Sequence, residues 1–355
     1  MAYSDLWKYC TAKHCNDLLL SMGLLEPLEM TSDKQLACLY ALSNHPEQHY
    51  RTIRLPKHDG SFRTIDAPDF LMKTVQSNLL RHFLEQQPIS PYAAAYHKHA
   101  APAVHARLHV GSKRLLKLDL KDFFPSITFP MVRQHAFPSF LLPPAVGILL
   151  TGLCCLRETL PQGSSASPCI SNLVMCPFDD YMGGWCEEQG IRYSRYCDDM
   201  TFSGDFDCEM VLYKVRGFLS AMGFTLNEKK TCIAAAGQQQ TVTGIVVNEK
   251  PQVSRAYRKK IRQEIYYCRK FGLKSHLTHS SPDASPTAWL HRLLGKINWV
   301  LTVNPKDAEF IGYRSQVRTW MEEEITSQES ITAAFDGFDD CDKSYTPRRK
   351  TTEPR

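Results

Sequence analysis

No apolar run in this 355-residue chain approaches the ~20 residues that a membrane-spanning helix needs. The start, Met1-Ala2-Tyr3-Ser4-Asp5, lacks a basic segment followed by an apolar core, so no secretory leader is expected. No Cys-x-x-Cys pair occurs among the 13 cysteines; the nearest spacings are Cys154-Cys155 and Cys10…Cys15. They read as reduced, mostly buried thiols rather than as a disulfide or zinc framework. Neither charge sign dominates: 42 Lys and Arg face 37 Asp and Glu, and a net charge of +5 permits a nucleic-acid partner without demanding one. Charged residues make up 22% and hydrophobic residues 43%, which excludes a disordered chain. The length suffices for two or three subdomains with a sizeable core.

What is present centres on Tyr196-Cys197-Asp198-Asp199-Met200. Flanking β-branched and aromatic residues predict a hairpin with a tight polar tip. Two adjacent aspartates repel each other, and a hard divalent cation within reach of both relieves that repulsion; alone, the pair is more often ordinary turn chemistry than a metal site. A second stretch, Arg114 to Leu120, predicts a buried strand ending in Asp119, followed by Lys121-Asp122-Phe123-Phe124-Pro125. One carboxylate at a strand end and two on a distant hairpin suit a pair of magnesium ions about 3.5–4 Å apart, the arrangement of in-line phosphoryl transfer. Phe124 would then sit under an incoming sugar, whereas Phe123 reads as core.

Other stretches fit around these. Residues 1–50 read as helical, with Thr31 or Ser32 as a cap. Two alternating runs flank His58-Asp59-Gly60, a hairpin signal that points Lys57 and Arg63 from its arms, either as solvated cations or as a triphosphate grip. Pro68 is expected to open a helix through Leu71, Val75, Leu79 and Phe83. Four histidines between His97 and His109 (97, 99, 105 and 109) lack a neighbouring cysteine or carboxylate, and read as a basic hydrogen-bonding surface rather than a zinc site. Leu160-Pro161-Gln162-Gly163-Ser164 is a small-residue loop opening a helix, where a backbone can approach a ligand. Gly223 to Thr231 predicts a turn and short strand with paired lysines. Arg255 to Lys274 carries eight Lys or Arg against one Glu, with interleaved tyrosines, and predicts a helix that tracks a phosphate backbone or presents a solvated face. Residues 326–355 turn polar and read as a mobile tail.

In this order the pieces resemble a reverse transcriptase, and within that superfamily they look most like the bacterial retron enzymes. The resemblance rests on Leu118 to Ile127, on Val242-Thr243-Gly244, and on Leu294-Gly295-Lys296-Ile297-Asn298-Trp299 with Asn304-Pro305, and it covers roughly residues 30–320. Two departures stand out: His105-Ala106-Arg107-Leu108-His109 replaces an Asn-Ala-x-x-His motif, and the tip reads Tyr196-Cys197-Asp198-Asp199 in place of Tyr-Ala-Asp-Asp.

The resemblance implies an α+β right-hand polymerase. Residues 1–48 form a helical extension, 49–113 and 131–180 the fingers, 114–130 and 181–253 the palm, 254–325 a helical thumb, and 326–355 the tail. It implies RNA-directed DNA synthesis with two magnesium ions on Asp119, Asp198, Asp199 and the Leu120 carbonyl, and with Lys230 protonating pyrophosphate. Lys57, Arg63, Phe124, Gln162 and Gly163 would bind the nucleotide. Tyr196, His105, His109, Arg255, Arg258, Lys259, Lys260 and Arg262 would bind nucleic acid. The implied partners are dNTPs, a structured non-coding RNA of msr-msd type, its branched DNA product, a separate effector protein and a host RNase H, in the bacterial cytoplasm and in antiphage defence. Group II intron or diversity-generating polymerases, or an idle RNA-binding scaffold, are the rival readings.

Overall fold

The computed structural model describes residues 6–56, 60, 62–98, 100–280, 283 and 285–339, with 327–339 by backbone alone. The chain divides into two units, Met1–Thr243 with Val247–Lys250, and Gly244–Val246 with Pro251–Arg355.

The first unit opens with helices α1 (Ala12–Ser21) and α2 (Ser32–Asn44), which bury Leu19, Leu39 and Leu42 at helical spacing. Strands β1 (Tyr50–Pro56) and β2 (Phe62–Pro68) pair antiparallel, with Pro56 opposite Phe62. Lys57 lies outside the described residues. Helix α3 (Phe70–His82) starts at Asp69, whose side chain accepts a hydrogen bond from the Met72 amide. Pro68 therefore closes β2 and does not open the helix. At a strand end its missing N–H costs nothing, and an aspartate caps better than proline.

The chain continues through α4 (Pro102–Arg107), β3 (Arg114–Asp119), α5 (Phe123–Ser126), α6 (Phe129–His135), α7 (Pro144–Cys154), α8 (Ser167–Glu188), β4 (Arg192–Tyr196), β5 (Asp199–Gly204), α9 (Cys208–Ala221), β6 (Cys232–Ala235) and β7 (Thr241–Val242). The order β4-β5-β3-β6 makes an antiparallel sheet with β3 inside it. A strand paired on both edges needs little polar surface, which explains the leucine-rich run that ends at Asp119. Leu116, Leu118, Met200 and Phe202 from this sheet join Val174, Phe178 and Met182 of α8 and Val211, Val215 and Leu219 of α9 in one core. Each such side chain contributes roughly 1.5–3 kcal/mol of burial.

In the second unit, β8 (Ile245–Val246) pairs with β9 (Gln252–Val253), and helices α10 (Arg255–Phe271), α11 (Leu273–Ser280), α12 (Pro286–Val303) and α13 (Ala308–Asp339) follow. Ile261, Ile265, Leu290, Leu293, Ile297, Phe310 and Val317 are buried at helical spacing. Helix α13 runs on past residue 325, where polar composition suggested an end. Glu and Ala are strong helix formers, so polarity alone does not stop the helix. Among the described residues no helix is long and apolar enough to cross a membrane.

Candidate active site

The hairpin tip has the predicted form. Cys197 and Asp198 join β4 to β5, and Cys197 takes a left-handed backbone with φ 60°. A positive φ at the first loop residue is what a two-residue hairpin requires. Asp199 is the first residue of β5 and stands opposite both Tyr196 on β4 and Asp119 on β3. The Leu120 amide donates to the Asp198 carbonyl at 3.1 Å, so β3 and the tip are stitched together one step beyond the register pair. Asp119 thus meets Asp198 and Asp199, which lie 79 and 80 residues later in sequence, at the same end of one sheet.

Asp119 is buried and already partnered. Lys230 Nζ donates to its Oδ1 at 2.7 Å, and Asn227 Nδ2 donates to its Oδ2 at 3.2 Å. The Asn227 amide also donates to the Asp119 carbonyl at 2.8 Å. Desolvation raises the Asp198 carboxyl above its ordinary value and Asp119 adds to that; its own backbone hydrogen bond, Lys230 and Arg63 oppose it. Asp199 reaches solvent, yet desolvation by the protein around it, then Asp198 and Asp119, push it up to about 6. The same field holds the Lys230 ammonium above its ordinary value, chiefly through its hydrogen bond to Asp119. Self-repulsion of this kind is what a divalent cation relieves, and an all-oxygen donor set suits a hard one. Among the described residues no three such side chains already stand close enough to hold one ion. Asp119 faces Lys230 and Asn227.

The Gln162-Gly163 loop lies against β2. The Asp66 amide donates to the Gln162 carbonyl at 2.8 Å. Gly163 has φ 139°, and a Cβ there would lie 2.4 Å from the Asp66 carbonyl oxygen, so the close approach admits only glycine. Arg63 is exposed on the same strand and is felt by Asp198. Phe124 is half-buried against Phe123, with ring centroids 5.4 Å apart, and Phe123 is core as expected.

The family described as reverse transcriptase (RNA-dependent DNA polymerase) matches residues 55–267. The chain is 32% identical over 253 residues to the retron Ec86 reverse transcriptase of Escherichia coli, covering 70% of this chain and 74% of that protein. This chain belongs to the retron reverse transcriptases. It is also 30% identical over 294 residues to the retron Mx65 reverse transcriptase of Myxococcus xanthus, covering 76% of this chain and 65% of that protein. A telomerase structure from Candida albicans with a telomeric RNA fragment superposes at TM-score 0.46 and 11% identity, over 76% of this chain and 63% of that one, a likeness too loose to weigh. The activity is RNA-directed DNA polymerisation, and the family depends on a divalent metal.

Several residues expected to bind nucleic acid in this retron enzyme make contacts within the protein. His105 and His109 are 1% and 0% exposed, and both ring Nε2 atoms meet the Ser194 hydroxyl, at 2.6 and 2.7 Å. His109 Nδ1 also meets the Ser203 hydroxyl at 2.7 Å. Burial pushes them down, to about 4 and about 3, so both rings are neutral struts under β4 and β5. Neither ring lies at the protein surface, and His105 stacks on Tyr196 with centroids 5.4 Å apart. The sequence signal missed here is periodicity: both histidines fall on the inward side of α4 and the turn after it. His99 lies outside the described residues.

Arg258 is likewise committed. It donates to Asp307 at 2.5 Å and to Glu309 at 3.2 Å, and its guanidinium covers the Phe310 ring. Arg262 forks onto Glu309 at 2.6 and 2.7 Å. These two arginines tie α10 to the start of α13, while Arg255, Lys259 and Lys260 are exposed. Sequence reasoning also passed over Asn227, which orients Asp119, and Arg195, the largest fully buried side chain.

Proposed function

We propose that this reverse transcriptase copies a structured non-coding RNA of msr-msd type, priming from the 2′-hydroxyl of a guanosine within it to give branched multicopy single-stranded DNA. The observation that carries the catalytic reading is the meeting of Asp119, Asp198 and Asp199 at one sheet end, with Lys230 against Asp119. Those three carboxylates and the Leu120 carbonyl would hold two magnesium ions, which when bound activate the primer hydroxyl and neutralise the leaving pyrophosphate. Lys57 and Arg63 would grip the triphosphate, Gln162 and Gly163 would line the nucleotide and template, and Phe124 would exclude a ribose 2′-hydroxyl. Lys230 would protonate pyrophosphate. Tyr196 would lie beside the primer end, and Arg255, Lys259 and Lys260 would hold phosphates of the RNA. Residues 49–113 and 131–180 would be fingers, 114–130 and 181–253 palm, and residues from 254 thumb. The enzyme would act in the bacterial cytoplasm with an RNase H and a separate effector, in defence against phage.

Primer extension on an RNA template with magnesium tests the chemistry. Asp198→Asn should abolish synthesis while RNA binding stays within about twofold, since catalysis here is positioning and charge neutralisation. Full activity in that variant would remove the carboxylate assignment. The nucleic acid that copurifies tests the retron product: an RNase-resistant DNA joined to RNA through a branch is expected, and active enzyme without it would refute the branched product.

A further inference from the structure

Arg195 has a side chain 0% exposed to solvent, and so has its partner Asp179 on α8. Its Nε donates to the two Asp179 oxygens at 3.0 and 3.1 Å, and Nη2 donates to Oδ2 at 2.6 Å. Nη2 also donates to Asn172 Oδ1 at 3.1 Å, and Nη1 donates to the Cys197 carbonyl at 2.8 Å. Tyr193 completes the set by donating its hydroxyl to Asp179 Oδ1 at 2.7 Å. Four of the five N–H groups of the guanidinium thus have a partner inside the protein, and the side chain is closed to solvent.

A fully buried ion pair is a poor device for stability, because desolvation cancels most of the attraction. This one turns its Nη1 to the hairpin tip. The Cys197 carbonyl belongs to the residue whose φ of 60° is disfavoured for a side chain bearing a Cβ, and it directly precedes Asp198. Asn172 and Asp179 are seven residues apart on α8, so one helix face receives the whole guanidinium. That helix begins just after the Gln162-Gly163 loop. Asn172 Nδ2 donates to the Ala95 carbonyl at 2.8 Å. The Arg195 backbone is paired with the same segment: its amide donates to the Tyr92 carbonyl at 2.8 Å, and its carbonyl accepts from the Ala94 amide at 2.7 Å. Gly183 leaves room for the Tyr92 ring, since a Cβ there would lie 2.0 Å from it.

We propose that Arg195 is a positioning residue for polymerisation: through the Cys197 carbonyl it holds the Asp198-Asp199 tip at a set place relative to α8 and the nucleotide loop ahead of it. The proposal rests on the reading of Asp198 and Asp199 as the metal-holding pair. Lysine keeps the charge but has no planar fork, and cannot span Asp179 and the Cys197 carbonyl in the same geometry.

The experiment compares wild type, Arg195→Lys, Asp198→Asn and a triple variant, Tyr193→Phe/Arg195→Met/Asp179→Leu, which replaces the buried polar set with apolar side chains. Full-length protein is assayed for primer extension, for primer-template affinity, and for the rise in melting temperature on adding Mn2+ or Mg2+. For Arg195→Lys the expected results are a kcat roughly 10–100-fold lower, unchanged primer-template affinity, and a metal-induced stabilisation that needs roughly tenfold more ion, the usual cost of losing an outer support of a metal site. The triple variant should melt cooperatively with the same loss. A folded Arg195→Lys or triple variant with wild-type kcat and wild-type metal midpoint overturns the proposal. So does failure of both to fold, because Arg195 would then serve the fold as a whole. Full activity in Asp198→Asn marks the other failure, that of the carboxylate reading beneath it.

Discussion

Lys230 stands where a cation is wanted, 2.7 Å from Asp119. Its ammonium neutralises the one carboxylate of the three that is most buried, and leaves Asp198 and Asp199 to repel each other. Lys230→Met should therefore divide two properties. The ion concentration that half-stabilises the protein should fall, because the competitor for Asp119 is gone. The rate of nucleotide addition should drop by roughly 10²-fold, because the proposed general acid is lost. Metal titration of the melting temperature and single-turnover extension measure the two separately, and a drop in neither would remove Lys230 from the site. Protons matter at the same place. Asp199 sits at about 6 in the metal-free protein. A protonated carboxyl is a poor ligand, so apparent metal affinity should weaken as pH falls through 6 and level off above 7. Metal titrations at pH 5.5 and 7.5 check this, and Asp199→Asn should flatten the difference.

At the scale of elements, sequence pattern and packing diverge on α10. Its seven basic residues look alike in sequence, but they split by face. Arg258 is nearly buried against Asp307, which is itself 8% exposed. Removing it strands that carboxylate, so Arg258→Ala should lower unfolding free energy by about 2–3 kcal/mol. Lys259→Ala and Lys260→Ala should leave the urea midpoint unchanged and each reduce the salt slope of RNA binding by about one ion. An equal effect of all three on RNA affinity would refute the split. The Gln162-Gly163 loop has its own constraint. Gly163→Ala forces a Cβ onto the Asp66 carbonyl and keeps an unfavourable φ, on the order of 1–3 kcal/mol of strain. Unfolding by urea and the KM for dNTP should both register it, the second more strongly, because the loop can shift away from β2 to relieve the clash.

For the molecule as a whole, the buried histidines make a pH signature. His105 and His109 are held neutral, with folded values near 4 and 3 against an ordinary 6.5. As pH falls below 6.5 the unfolded chain takes up protons that the folded chain refuses, so stability is present in full above 6.5 and declines toward pH 4. Urea midpoints at pH 7 and 5 should differ more for wild type than for His105→Asn/His109→Gln. An equal pH response in both would show that other groups dominate acid sensitivity. Among the described residues the thiols are free, the Cys10 and Cys15 sulfurs stand 3.7 Å apart, and Cys154, Cys155, Cys169 and Cys186 are pushed well above their ordinary value by burial. Reductants should therefore leave activity unchanged, measured by primer extension with and without dithiothreitol.

The α+β class, the β1-β2 and β4-β5 hairpins and the carboxylates Asp119, Asp198 and Asp199 were legible in the chain by itself. Strand alternation, turn chemistry and adjacent acids are local signals, and a local signal survives translation into any fold. What the tertiary structure decided is which of two chemically similar residues faces inward. Arg258 and Lys259 are neighbours in sequence, yet one is an internal ion pair and the other a solvated cation. His105 and His109 belong to a basic-looking segment, yet they brace the sheet under Tyr196. Arg195 lies one residue before the tip motif and carries no signal of its own. Its part depends on Asp179, Asn172 and the Cys197 carbonyl arriving from α8 and the turn. Buried polar groups must find partners, and those partners come from distant segments, so burial and pairing are properties of the folded chain and cannot be read from neighbours in sequence.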